Sequence, residues 1–146
     1  MKIIMSTLQA FMAQNVEKTQ IEEHVVSKRF KDEGGNPIKW QFGAIGGDKD
    51  AALRKESTRR VPVPMKKGLT MPELDSNLYP LKLVTATVKF PDLHNQDLQN
   101  SYGAMGAEEL LQKMLLPGEL SKAKEIAQSV NGFDLSMDEL VEEAKN

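Results

Sequence analysis

The sequence predicts an α+β fold, namely a mainly α-helical single domain with an N-terminal β-hairpin and a C-terminal αα-hairpin. Residues 38–45, IKWQFGAI, alternate apolar and polar side chains with the period of a half-buried strand. Residues 106–119, GAEELLQKMLLPGE, carry apolar side chains at helical spacing up to a Pro-Gly corner. A chain of 146 residues is long enough to bury a core, so we expect residues 1–146 to form one domain.

The composition is typical of a globular protein, with 40% hydrophobic and 27% charged residues. The absence of cysteine excludes disulfides, thiol catalysis and Cys-ligated zinc. No apolar run approaches the length of a membrane span, and the N-terminus lacks the continuous apolar region of a signal peptide. We therefore expect a cytoplasmic protein. Because aromatic residues make up only 5% of the chain, we also expect most of the eight methionines to help fill the core.

The first third of the chain predicts one short helix followed by a β-hairpin. The capping-box pattern STLQ predicts a helix over residues 7–15. Residues 21–30, IEEHVVSKRF, favour a strand, and KDEGGNP is a dense turn signal before the alternating strand at 38–45. We expect these strands to pair in antiparallel fashion and to bury Trp40 and Phe42 on one face.

The middle of the chain predicts two helices separated by a loop. Asp48 is a suitable N-cap for a surface helix over residues 49–60. Residues 61–74, VPVPMKKGLTMPEL, contain three prolines and favour a mobile loop, with short edge strands as the alternative. If the chain folds around a partner, this loop is a suitable place for the contact. Residues 75–90 fit either a strand or a helix, and the potential caps in the sequence DSN favour a buried helix.

The C-terminal half predicts a series of short helices. Asn95 or Asp92 is placed to cap a helix that ends near Ser101. The αα-hairpin follows: its first helix stops at the Pro-Gly corner, and its second runs from Glu119 to an Asn-Gly pair suited to a helix end. Beyond it, the motif SMDE forms another capping box and predicts a final short acidic helix.

No motif in the sequence indicates catalysis or a metal site. His24 and His94 are far apart and lack the spacing of metal ligands. Asp92, His94 and Ser101 have the residue types of a hydrolase triad, but nothing resembles a nucleophile elbow, and such residues occur together by chance in most proteins. We therefore expect no catalytic, cofactor-binding or metal-binding residues and no enzymatic activity.

Charge is distributed unevenly along the chain. Residues 28–67 contain eleven Lys or Arg against five Asp or Glu, whereas residues 104–146 contain four against nine. Solvated helix faces of opposite sign are the common explanation of such a pattern. The alternative is a dipolar molecule that docks a charged partner, or copies of itself head to tail.

Nucleic-acid binding is an alternative function, and it would depend on a basic patch beside Trp40. The net charge of −2 argues against it, and the chain has neither a helix-turn-helix pattern nor the aromatic pair of an RNA recognition motif. A solvated basic face explains the pattern better, followed by a basic surface that contacts an acidic protein. The basic patch would comprise Lys28, Arg29, Lys31, Lys39, Arg54, Lys55, Arg59, Arg60, Lys66 and Lys67.

Several segments, in order along almost the whole chain, carry a family resemblance. The most specific is PDLHNQDLQNSYGAMGAEELLQKMLLPGEL, supported by VVSKRFKDEGGNPIKWQFGAI and by the closing NGFDLSMDELVEEAKN. With these segments the chain resembles the XkdN-like tail assembly chaperones of Gram-positive phages and of PBSX-type prophages in Bacillus. The main departure is at the front, where MKII precedes the usual Met-Ser start.

The resemblance implies a non-enzymatic chaperone for the assembly of a long phage tail. Such proteins bind the tape-measure protein and keep it soluble until tail-tube subunits assemble around it, and they are absent from the finished virion. The resemblance also implies a frameshifted longer form as a further partner, and a second copy of the chain is the other candidate, from the charge distribution above. A structural tail component that remains in the particle is the alternative within this class of function.

An apolar groove between helices would suit a helical client whose apolar seams are exposed before assembly. We expect such a groove along the αα-hairpin. The alternative is that its candidate residues simply form core. The candidate lining residues are Leu111, Met114, Leu115, Leu120 and Ile126.

Overall fold

The computed structural model describes residues 7–133 and confirms the α+β class, with small antiparallel sheets in front of a helical C-terminal half. In this part of the chain, helical residues outnumber strand residues, as predicted. The elements are α1 Thr7–Ala10, β1 Glu22–His24, β2 Trp40–Phe42, α2 Gly47–Glu56, β3 Thr58–Pro62, β4 Thr70–Leu74, α3 Leu78–Thr87, β5 Val88–Phe90, α4 Gln96–Ser101, α5 Ala107–Met114 and α6 Pro117–Val130.

The front hairpin is confirmed, with strands shorter than predicted. β1 pairs with β2 in antiparallel register, with Glu22 opposite Phe42 and His24 opposite Trp40. The alternation holds, because Trp40 and Phe42 are buried while Gln41 between them is half-exposed. The turn signal also holds: the N–H of Gly35 donates to the Asp32 carbonyl in a tight turn between the strands.

The first helix is shorter than the predicted span of 7–15, since it ends at Ala10. Leu8 and Phe11 are exposed, so within residues 7–133 its apolar side chains gain little packing that would extend the helix. Short helices without such packing are marginal in water. The Ser6 position of the capping box lies outside the described residues.

The boundaries predicted for the second helix are wrong at both ends. α2 begins at Gly47, so Asp48 lies in its first turn and Gly46 occupies the N-cap position. The helix stops at Glu56 instead of continuing to residue 60. The side-chain hydroxyls of Ser57 and Thr58 donate to carbonyls of its last turn. Ser57 donates to the Leu53 carbonyl, and Thr58 begins a strand.

Residues 61–74 do not form a wholly irregular loop, because half of them lie in the strands of a two-stranded hairpin. β3 and β4 pair from Thr58 opposite Leu74 to Pro62 opposite Thr70. Every strand of a two-stranded sheet is an edge, and an edge tolerates proline. The strands pack mainly on each other and little on the remaining elements. We call residues 58–74 the arm.

Residues 75–90 contain both structures that their sequence allows. α3 is the predicted buried helix, and the Asp75 carboxylate accepts the N–H groups of Asn77 and Leu78 at its start. The last three residues form β5, which pairs with β2 and places Val88 opposite Phe42. The resulting sheet has the order β1-β2-β5.

The helices of the C-terminal half follow the prediction. Asn95 caps α4 by accepting the N–H of Leu98 at 2.9 Å. α5 and α6 meet at the Pro-Gly corner, although α6 begins at Pro117, two residues before Glu119. Each of these two helices packs on α3 more than on the other. The predicted final acidic helix lies outside the described residues.

The core is built largely from leucine, valine, alanine and two aromatic rings, and the expectation of a methionine-rich interior is wrong for the described residues. Met114 is buried, whereas Met12, Met65, Met71 and Met105 are exposed. The exposed methionines lie in turns and on the arm, which α3 and the C-terminal helices do not cover. No helix among residues 7–133 is long and apolar enough to cross a membrane.

Candidate partner-binding surface

The residues predicted to line a groove on the αα-hairpin lie on its inner face. Leu111, Met114 and Leu115 are buried, and Leu120 and Ile126 are half-buried against the same core. The helical periodicity therefore identified a face that packs on this chain's own α3. Met114 differs from the other four, because its side chain also lines a cavity that opens to solvent.

This cavity has a volume of about 200 Å³ and an almost wholly apolar wall, and we call it the apolar cavity. Its wall combines the ends of β2 and β5 with the turn before β2, helix α4 and the last residue of α5. These elements are distant in sequence, so no local pattern predicts the cavity. The lining residues are Phe30, Ile38, Trp40, Phe90, Pro91, Leu98, Tyr102 and Met114.

The wall of the apolar cavity includes a buried aromatic side chain, and its rim includes an exposed one. Trp40 is buried, and its ring lies 6.4 Å from that of Phe30. The guanidinium of Arg29 lies over the Phe30 ring, 5.2 Å from its centre. Phe90 is 47% exposed and forms part of the rim. The apolar cavity is therefore open to solvent beside Phe90.

An ion pair fixes the loop after β1 to the corner between α5 and α6, beside the cavity. Arg29 Nη2 donates to the Met114 carbonyl at 2.7 Å and to Glu119 Oε1 at 2.6 Å. Glu119 also accepts the N–H of Leu116 at 2.8 Å. Hydrogen bonds from Arg29, Ser27 and the Leu116 backbone lower the pKa of Glu119 to about 2.

A second polar cluster joins α2 to α3 on another side of the molecule. The Tyr79 hydroxyl donates to Asp50, and Arg54 Nε donates to the same carboxylate at 2.9 Å. Partial burial raises the pKa of Asp50, but the bonds from Tyr79 and Arg54 outweigh it and hold the pKa below its usual range. Arg54 also lies 4.5 Å from the centre of the Tyr79 ring. Each polar group here is satisfied within the cluster, which explains it as a structural contact.

The described residues do not bring the hydrolase residue types together as a triad. The Asp92 carboxylate accepts the backbone N–H of His94, and the Ser101 hydroxyl donates to the Leu98 carbonyl. These are local turn and helix contacts, with neither side chain bonded to an imidazole. Among residues 7–133 there is also no group of three His, Cys, Asp or Glu side chains placed to hold a metal ion.

Trp40 is not accessible as an aromatic side chain beside the basic patch. Its side chain is buried, so its ring cannot stack on a base. Arg29 and Arg54 are paired with Glu119 and Asp50, which neutralises part of the patch.

Comparison with known proteins gives a consistent assignment. The family model described as phage XkdN-like tail assembly chaperone protein matches residues 8–145. The Bacillus subtilis protein YqbN is 31% identical over 134 residues, which cover 91% of this chain and 88% of YqbN. The phage-like element PBSX protein XkdN of the same organism is 30% identical over 122 residues, covering 83% of this chain and 81% of XkdN.

The fold agrees with that result. The crystal structure of YqbN matches this structure with a TM-score of 0.75 at 27% identity, over 91% of this chain and 100% of that chain. The sequence comparison and the fold comparison therefore identify the same relative over nearly the whole chain. The chain belongs to the XkdN-like family of phage tail assembly chaperones.

Proposed function

We propose that this protein is a non-enzymatic chaperone that binds the tape-measure protein in the host cytoplasm and keeps it soluble during tail assembly. The observation that carries the proposal is membership of the XkdN-like tail assembly chaperone family. A tape measure is a long, largely helical chain that exposes apolar seams before the tail tube surrounds it. Exposed seams of that kind aggregate unless a partner covers them.

The apolar cavity is the surface we assign to this contact. A helix that lies in an apolar groove inserts side chains at i, i+3 and i+4 spacing, and each needs an apolar recess. The cavity offers such a recess beside an exposed aromatic rim at Phe90. Of the predicted groove residues, Met114 lines the recess. Leu111 and Leu115 are buried and stabilise the surface from behind.

A charge on the rim tests the assignment. The amount of co-expressed tape-measure protein that co-purifies with the Phe90→Glu variant should be at least tenfold lower than with the parent. A carboxylate placed against an apolar wall loses hydration without gaining a partner. The matched control is Met105→Glu, since Met105 is 90% exposed and is not part of the cavity wall. Thermal unfolding of both variants should match that of the parent.

Equal co-purification of the Phe90→Glu variant and the parent would remove the apolar cavity from the proposal. Failure of the unaltered chain to bind the tape measure would overturn the function itself. Detection of the protein in purified tails by mass spectrometry would instead assign it as a structural component of the particle.

A further inference from the structure

We propose that the N-terminal segment of one copy of this chain, residues 7–16, inserts the Phe11 side chain into the apolar cavity of a second copy. The contact closes the cavity head to tail until a client displaces it. This inference rests on the function proposed above, because it concerns the regulation of the same recess. It depends on the exposed apolar side of the segment, on the size of the cavity, and on the place where the segment joins the sheet.

The N-terminal segment presents four apolar side chains to solvent at helical spacing. Beyond α1 the chain keeps turning as far as Val16, whose N–H donates to the Met12 carbonyl. Leu8 is 72% exposed and Phe11 is 78% exposed. With Met12 and Val16, which are also exposed, they follow the i, i+3, i+4 and i+8 pattern of one side of a helix. Residues 7–16 contain no charged side chain, so the segment has the chemistry of a ligand for an apolar recess.

The apolar cavity has room for one phenyl ring. In another protein, an engineered apolar cavity of about 150 Å³ takes up benzene, and this cavity has a volume of about 200 Å³. Its wall includes the rings of Phe30, Trp40, Phe90 and Tyr102, and aromatic pairs are stabilised by edge-to-face and offset contacts. Among the four apolar side chains of the segment, only that of Phe11 can make such contacts, so we assign it as the anchor.

A single molecule leaves both surfaces open. None of residues 7–21 belongs to the wall of the apolar cavity. The segment joins the sheet beyond the end of β2, where the Ile21 side chain packs against Gly43. The cavity lies toward the start of the same strand, at Ile38 and Trp40, and five extended residues from Ile38 to Gly43 span about 17 Å. The donated segment and the receiving cavity are therefore separate surfaces of the molecule.

A second copy supplies both missing partners. Because the segment and the cavity are different surfaces, the contact is heterologous, and each complex keeps one free segment and one free cavity. Burial of the four side chains removes on the order of 400 Å² from water on the segment and a similar area on the cavity. The total of about 800 Å² is less than the roughly 1,200 Å² of a stable interface. The contact is therefore weak and reversible, and a client helix with several anchors displaces it.

Analytical ultracentrifugation of the full chain tests the contact. The weight-average mass of the parent should rise with protein concentration between about 10 and 500 μM. Phe11→Glu and Phe90→Glu should each weaken this association at least tenfold, because either change places a carboxylate against the apolar wall. Ala10→Glu is the matched control, since Ala10 is exposed in the same segment but lies on the opposite side of the helical turn from the four apolar side chains. Its association should stay within about twofold of the parent's.

A mixture of the two disabled variants tests the head-to-tail geometry. Phe11→Glu keeps its cavity and Phe90→Glu keeps its segment, so an equimolar mixture should form a one-to-one complex that neither variant forms alone. This complex cannot grow, because its remaining segment and its remaining cavity are the altered ones. Thermal unfolding of each variant should match that of the parent, because Phe11 is 78% exposed and Phe90 is 47% exposed in the single molecule.

A parent that stays monomeric over this range would overturn the proposal. A mixture that forms no complex would do the same, as would an Ala10→Glu variant that associates as weakly as Phe11→Glu.

Co-purification with the tape-measure protein separates this inference from the proposed function. Phe11→Glu should capture at least as much tape measure as the parent, because its cavity is intact and has lost the competing segment. Capture by a parent that stays monomeric would overturn the contact between copies alone. Complex formation in the mixture, without capture by any form of the chain, would support that contact and overturn the proposed function.

Discussion

Asn131 provides the sharpest test of how the helical half is fixed to the sheet. Its Oδ1 accepts the N–H of Ile45 at 2.9 Å, and its Nδ2 donates to Thr87 Oγ1 at 2.9 Å and to the Ala127 carbonyl at 2.8 Å. Thr87 is fully buried and Ile45 is half-buried. Asn131→Ala removes the hydrogen-bond partner of the Ile45 N–H and of the Thr87 hydroxyl. An unsatisfied buried group costs about 1–3 kcal/mol, so we expect a loss of roughly 2–4 kcal/mol in the free energy of unfolding.

Urea and thermal unfolding measure this loss. For a domain near this size, each kcal/mol lowers the melting temperature by about 2–4 °C, so a decrease of roughly 5–15 °C is expected. Asn131→Asp keeps the acceptor for Ile45 but loses both donors, and it should retain part of the stability. Asn100→Ala is the control, because the Asn100 side chain is exposed and accepts a hydrogen bond from Gln96 on its own helix. A change below about 0.5 kcal/mol in the free energy of unfolding for Asn131→Ala would refute the reasoning, since ordinary surface substitutions change it by as much.

Two further predictions concern charge. The pKa of Glu119, about 2, lies below its ordinary value of 4.5, so the carboxylate stabilises the fold above pH 4.5 and this contribution fades as the pH falls toward 2. Glu119→Gln should therefore destabilise the protein more at pH 6 than at pH 3 in urea unfolding, and equal losses at both values would contradict the assignment. Secondly, the full chain should show no saturable binding to duplex DNA below about 10 μM protein at 150 mM salt. Binding that weakens steeply with added salt would instead support a nucleic-acid function.

The sequence predicts this fold best where a local signal and the tertiary packing agree. The alternation around Trp40 and Phe42, the caps at Asp75 and Asn95, and the break between α5 and α6 at Pro117 all hold in the structure. Each of these signals depends on chemistry within a few residues of the chain. For example, a capping carboxylate needs only the N–H groups two or three residues ahead of it.

The errors occur where the deciding interaction is between distant residues. The stretch after Glu56 has helix-forming arginines, but its pairing with residues 70–74 converts it to a strand. β5 forms at the end of a helical segment because β2 lies beside it. The apolar cavity likewise joins Phe30 to Phe90 and Met114, which no local period connects. Only the folded chain brings these residues together.

The residues predicted to line a groove show why periodicity alone does not locate a binding surface. Leu111 and Leu115 repeat at helical spacing because α5 must bury a face, and the nearest apolar surface is α3 of the same chain. A face that binds a partner has the same period, since it is buried by the same physical effect. The two cases differ in whether the chain itself supplies enough neighbours. On α5 the chain supplies them, whereas among residues 7–133 Phe90 and several apolar side chains of the arm stay exposed.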